Sequence, residues 1–130
     1  MIVADTSYIV EAILRDASLL ENETIITPDL ALYETVNTIW KHETLIGDLK
    51  DASRRIDLLL ELISTGTIQM VRPDEKLVKD TYAFSTKHRV PVYDAIFVAL
   101  ALRLGLELKT FDNRQIDVLS REKHSNTSRQ

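Results

Sequence analysis

Cysteine is absent from the 130-residue sequence, which removes disulfides, thiolate metal sites and cysteine nucleophiles together. Glycine and proline number only 3 each, too few for a collagen-like or low-complexity chain, and no Gly/Ser/Pro stretch is long enough for a linker. The longest apolar run, residues 95–102, falls far short of the roughly 20 residues that span a bilayer. A charge, Asp5, follows the first four residues at once and no basic segment precedes them, so no signal peptide is expected. Basic residues are not in excess: 16 Lys and Arg face 20 Asp and Glu, a formal charge of −4. Nothing global marks a nucleic-acid binder. Histidine is scarce, and His42, His88 and His124 are not spaced as a zinc-binding pair. The expectation is a cytoplasmic protein with no membrane contact.

What is present is a 45% hydrophobic, 28% charged chain of a size to bury one core. Its charge is uneven. After Asn113, the basic Arg114, Arg121, Lys123 and Arg129 face only Asp117 and Glu122, so the body before them carries the acidic excess. An acidic body is either a solvated surface or carboxylates gathered for a metal, and composition leaves both open.

Hydrophobic spacing predicts a short strand at residues 1–4 and a helix at Thr6–Leu14 with Ile9, Val10, Ile13 and Leu14 on one side. A short apolar piece at residues 24–27 leads to Pro28, which suits the first turn of a helix, with Asp29 near its positive end. That helix is expected to carry Leu32, Tyr33, Val36, Ile39 and Trp40 inward and to break at Gly47. Residues 48–65 repeat Leu49, Ala52, Ile56, Leu59, Leu60 and Ile63 at helical spacing. A β-branched strand at 67–71, an amphipathic helix at 74–87, a helix opened by Pro91 at Val92–Leu104 and a strand at 106–111 follow. Asp112 caps a last helix reaching to about Leu119, and residues 120–130 read as a polar, frayed tail beyond a single domain at 1–119. Helices between short strands imply a parallel sheet covered on both faces, an α/β protein built as a three-layer α/β/α sandwich.

Four carboxylates stand out from the solvated faces. Asp5 leaves the end of a buried strand, at the edge where open parallel sheets bind ligands; it is equally placed to cap the next helix. Asp94 is the one charge in the apolar segment 92–102, where a carboxylate is costly unless partnered, although a helix start also favours an acid. Glu34 shares a helix stripe with Asn37 and Lys41, which is either a solvated face or a ligand with an orienting amide. Asp112 follows a strand, with Thr110 two residues before it, and is either an N-cap or a fourth acid. Parallel strands bring such ends together. Clustered carboxylates repel, and a divalent cation relieves that conflict; with no Cys or His nearby, Mg²⁺ or Mn²⁺ is the expected ion.

These residues also resemble a known family. Asp5-Thr6-Ser7 after its strand is similar to the opening turn of PIN-domain nucleases, and Glu34 to Asn37 to their Glu-x-x-Asn helix. Tyr93-Asp94-Ala95 resembles their Tyr-Asp-Ala helix, and Thr110-Phe111-Asp112 their Thr-x-Asp strand end. Order, spacing and length resemble the VapC toxins of toxin–antitoxin pairs. The resemblance implies a homodimeric, Mg²⁺- or Mn²⁺-dependent endoribonuclease inhibited by a cognate antitoxin. Asp5, Glu34, Asp94 and Asp112 would form its acidic cluster, supported by Thr6 or Ser7, Asn37 and Thr110. Family members commonly add a strand after the last helix; here 116–119 run into a polar stretch, so that strand is expected to be absent or short, and Asp117 is the nearby substitute for Asp112. Arg15, Lys41, Lys109 and Arg114 are the basic residues closest in sequence for an RNA backbone. The competing readings are a phosphoacceptor receiver domain, with Lys109 as its lysine, and a catalytically silent interaction module of the same fold.

Overall fold

Four short β-branched and aliphatic pieces form the sheet: β1 (Ile2–Ala4), β2 (Ile25–Pro28), β3 (Ile68–Val71) and β4 (Leu108–Lys109). The computed structural model describes residues 1–128, with side chains through Glu122. All four strands are parallel, in the order β3-β2-β1-β4. Val3 of β1 stands opposite Ile26 on one side and Leu108 on the other. Parallel neighbours need crossovers, and helices supply them: α1 (Thr6–Leu14), α2 (Leu30–Trp40), α3 (Ala52–Ser64), α4 (Glu75–His88) and α5 (Val92–Leu104), followed by α6 (Asn113–Ser128). Helices α1, α2 and α3 pack together, as do α4, α5 and α6. Right-handed connections put the first group on one face of the sheet and the second on the other. The three-layer α/β/α sandwich is as expected.

Helix α5 explains the compactness of the middle. Ala95, Phe97, Val98, Ala99, Leu100 and Ala101 are all buried, and the helix contacts β1, β2 and β4. Its alanines let the backbone lie close on the sheet, and Gly105 ends it in a left-handed conformation that costs a residue with a Cβ more.

Several local expectations are corrected. Pro28 closes β2 opposite Val71 and does not open a helix; an extended backbone suits its fixed φ, and the last residue of a strand tolerates the missing N–H. Helix α2 turns Ala31, Thr35 and Ile39 inward, while Tyr33, Val36 and Trp40 are exposed. Its small stripe approaches its neighbours closely, so the aromatic bulk lies outside. After Trp40 the chain widens into a π-helical segment, Lys41–Ile46, ended by Gly47 at φ 78°. Helix α3 starts at Ala52, and its Leu60 is half exposed. The last strand is only two residues, and α6 runs to Ser128, well past Leu119. The frayed tail assigned to 120–130 is therefore helical through Ser128; Arg129 and Gln130 lie outside the described residues. No strand follows α6 among the described residues.

Candidate active site

Chain direction makes the crevice. From β1 the chain moves outward to β2 and β3, then returns to place β4 on the opposite side of β1. The carboxyl ends of β1 and β4 thus flank the topological switch point, where open α/β sheets bind ligands. Asp5 leaves β1 there, and Thr110, Phe111 and Asp112 leave β4.

Asp5 takes the capping role that its position allowed, and its second oxygen faces across the switch point. Its extended backbone starts α1, and Oδ1 accepts the Tyr8 amide at 3.1 Å and the Ser7 hydroxyl at 2.6 Å. The other oxygen, Oδ2, accepts a hydrogen bond from the Thr110 hydroxyl, across the switch point. The residue is 3% exposed. Burial pushes its carboxyl above the usual range, against the hydrogen bonds of Ser7, Thr110 and Tyr8, and the nearby Asp112 charge adds to the rise. Ser7 and Thr110 are also tied to the loop after β4: Ser7 Oγ accepts from the Phe111 amide at 2.9 Å, and Thr110 Oγ1 accepts from the Asp112 amide at 2.9 Å. The Phe111 ring stacks on Tyr8, with centroids 5.6 Å apart.

Asp94 sits in the first turn of α5, three residues beyond the Pro91 cap. Its side chain is 20% exposed and makes one long ion pair, 3.7 Å from the Arg114 guanidinium. Burial raises its pKa most, Arg114 lowers it, and Asp112 raises it again. Asp112 caps α6 by accepting the Arg114 amide on Oδ1 at 2.9 Å, while Oδ2 lies 3.6 Å from the guanidinium of the same residue. Asp112 therefore acts electrostatically on both Asp5 and Asp94, and the three acids share one field. Glu34 joins through Thr6, whose hydroxyl donates to Oε1 at 2.7 Å and links the first turn of α1 to α2.

The remaining expected residues fall elsewhere. Asn37 is exposed on α2, and Glu34 takes its hydrogen bond from Thr6 instead. Asp117 pairs with Arg121 at 3.0 Å, one turn along α6. Arg15 ends α1, about 15 Å of helix from Asp5, and pairs with Glu11. Lys41 lies about 10 Å of helix beyond Glu34. Lys109 pairs with Glu107 at 3.2 Å. Of the four basic candidates, only Arg114 reaches the acids.

One buried polar cluster escaped the reading of the sequence. Glu122 of α6 is buried between Lys87 and His88, each 2.8 Å away. The spacing of Gln115, Val118, Leu119 and Glu122 repeats at helical intervals and was the signal available; the charge of Glu122 disguised it.

The donors at the switch point suit a hard cation: they are carboxylates and hydroxyls only, with acids repelling one another and a guanidinium already standing between two of them. Among the described residues no three His, Asp or Glu side chains stand close enough to form a ready metal cage.

Known proteins share this plan. Ribonuclease VapC3 of Pyrobaculum aerophilum is 39% identical over 88 residues, 68% of this chain and 66% of its own length, just under two thirds of that relative. The crystal structure of PAE2754 from Pyrobaculum aerophilum superposes with a TM-score of 0.71, covering 89% of this chain and 82% of that one, at 21% identity. The PIN domain pattern matches residues 2–120, from the first residue of β1 into α6. A match of that length, on a parallel sheet with this strand order, makes the chain a member of the PIN domain family.

Proposed function

We propose that this protein is a divalent-metal-dependent endoribonuclease, the toxin of a toxin–antitoxin pair. The observation that carries the reading is the gathering of Asp5, Asp94 and Asp112 at the switch point of a PIN-domain sheet. The name of the relative, Ribonuclease VapC3, supports RNA as substrate and an antitoxin as partner. Asp5 and Asp94 are the residues to hold Mg²⁺ or Mn²⁺, with Glu34 and Asp112 completing the outer ligation or steadying an attacking water. When bound, such an ion neutralises charge developing on the phosphate and makes water more acidic.

The chain's own residues do the positioning. Ser7 and Thr110 fix both oxygens of Asp5, so the carboxylate meets its ligand in one orientation. Thr6 holds Glu34 toward the same edge. Burial of Asp5 shields its carboxylate from bulk water. In-line attack at phosphorus with loss of the 3′ oxygen leaves a 5′-phosphate and a 3′-hydroxyl. The RNA it cuts is proposed to be cytoplasmic; among the described residues no helix is long and apolar enough to cross a membrane. Exposed apolar side chains on α2 and on α4 and α5 support two protein contacts, a second copy and the antitoxin.

The test is RNA cleavage with added Mn²⁺, with excess chelator, and with Asp5→Asn. Cleavage is expected only in the first case, with 5′-phosphate ends. Cutting that persists in chelator overturns the metal reading, and an inert protein with all acids intact returns the silent-module reading.

A further inference from the structure

We propose that the Arg114 guanidinium is a resident counterion of the acid site: it competes with a divalent cation for Asp94 and Asp112, and moves to an RNA phosphate when the cation displaces it. The proposal rests on the nuclease reading and deepens it by assigning one residue to both metal entry and substrate capture. Arg114 reaches two different carboxylates, Nη1 to Asp94 at 3.7 Å and Nη2 to Asp112 at 3.6 Å. Both distances exceed the roughly 2.8 Å of a charge-assisted hydrogen bond. The chain makes that tighter kind elsewhere: Arg103 grips both oxygens of Asp74, one at 2.7 Å. The Arg114 side chain is 68% exposed, so nothing packs it in place. Its backbone, by contrast, is pinned by the Asp112 carboxylate at 2.9 Å. A fixed Cα with a free guanidinium is a charge on a short tether.

Helix stability does not explain this arginine. It lies in the first turn of α6, where the dipole disfavours a cation. Nor does protonation release it, since a guanidinium stays charged at any working pH. What removes it is a stronger cation for the carboxylates together with an anion for itself, and metal plus phosphate supplies both.

The test compares wild type, Arg114→Gln and Arg114→Lys in Mn²⁺ titration calorimetry without RNA, and in stopped-flow binding of a short labelled RNA with Mn²⁺ present, read before cleavage, at several salt concentrations. Arg114→Gln is expected to bind Mn²⁺ about 2- to 10-fold more tightly, the worth of two exposed ion pairs. Its RNA affinity should fall, with the salt slope reduced by about 0.7. Arg114→Lys, which keeps the charge, should restore most of both behaviours. Equal or weaker Mn²⁺ binding by Arg114→Gln, in a protein whose wild type binds Mn²⁺ and cleaves RNA, overturns the Arg114 assignment alone. Absence of Mn²⁺ binding and of Mn²⁺-dependent cleavage in the wild type overturns the nuclease reading with it.

Discussion

Asp5 shows how a helix cap can leave half of a carboxylate for another partner, because a carboxylate has two oxygens and a helix cap uses only one. Asp94 has no such structural duty: the cap of α5 falls at Pro91, and the carboxylate holds only a loose ion pair. Its charge is disfavoured by burial and by Asp112. Asp94→Asn should therefore leave metal-free stability equal to wild type or higher by up to about 1 kcal/mol. On the proposed metal-ligand role of Asp94, cleavage should drop by at least about 100-fold. Thermal unfolding in chelator beside a cleavage time course checks both; a strongly destabilised variant would show that Asp94 is a structural group. Three of the acids were legible as residues because Asp5 and Asp112 follow strands and Asp94 opens an apolar helix, and Glu34 stood out by its stripe with Asn37. The hydroxyl of Thr6 on Glu34 was not, because a contact 28 positions apart leaves no local pattern.

At the scale of elements, α6 carries the main surprise. Its Glu122 reaches back to Lys87 and His88 at the end of α4, and His88 is itself buried and stacked on Phe84. Burial raises the Glu122 pKa, but the hydrogen bonds of Lys87 and His88 together outweigh that and hold the carboxyl below the usual range. A depressed carboxylate pKa adds stability above its unfolded value, near 4.5, and that stability is lost as pH falls through the lower folded value. Glu122→Gln should cost about 1–3 kcal/mol at neutral pH, the worth of hydrogen bonds to charged groups, and flatten the acid limb of the stability profile. Urea unfolding at pH 7 and at pH 4 measures both, and an unchanged midpoint at pH 7 would show that the cluster contributes nothing. Helix existence followed from hydrophobic spacing throughout. The face of α2 did not, because which stripe meets a neighbour depends on how closely the neighbour approaches, and Ala31 and Thr35 allow a closer approach than Tyr33 and Trp40.

Over the whole molecule, most of the exposed large apolar residues fall into two regions. Tyr33, Val36 and Trp40 line the outer face of α2 and lead to Leu45 and Ile46, while Val78, Tyr82, Val92 and Tyr93 belong to α4 and α5. Surface of this kind marks interfaces. Light scattering at tens of micromolar should give about twice the 14.8 kDa chain mass. Tyr82→Ser and Trp40→Ser, tested separately, should divide: one shifts the mass toward monomer and the other does not. A monomeric wild type counts against self-association altogether.

By itself the sequence determined the α/β class, the strand and helix order, and the acids at the ends of β1 and β4 and at the start of α5. These are local properties, set by hydrophobic period, turn residues and the energetic oddity of a charge in an apolar segment. Only the tertiary structure decided that β4 lies beside β1 and not beyond β3, which turns two separate strand ends into one crevice. It alone chose Arg114 over Arg15, Lys41 and Lys109 as the cation among the acids, and continued α6 past Leu119 with Glu122 seated on Lys87 and His88. Strand order and long-range pairs such as Lys87 with Glu122 arise from how the crossovers pack on the sheet, so no window along the chain contains them.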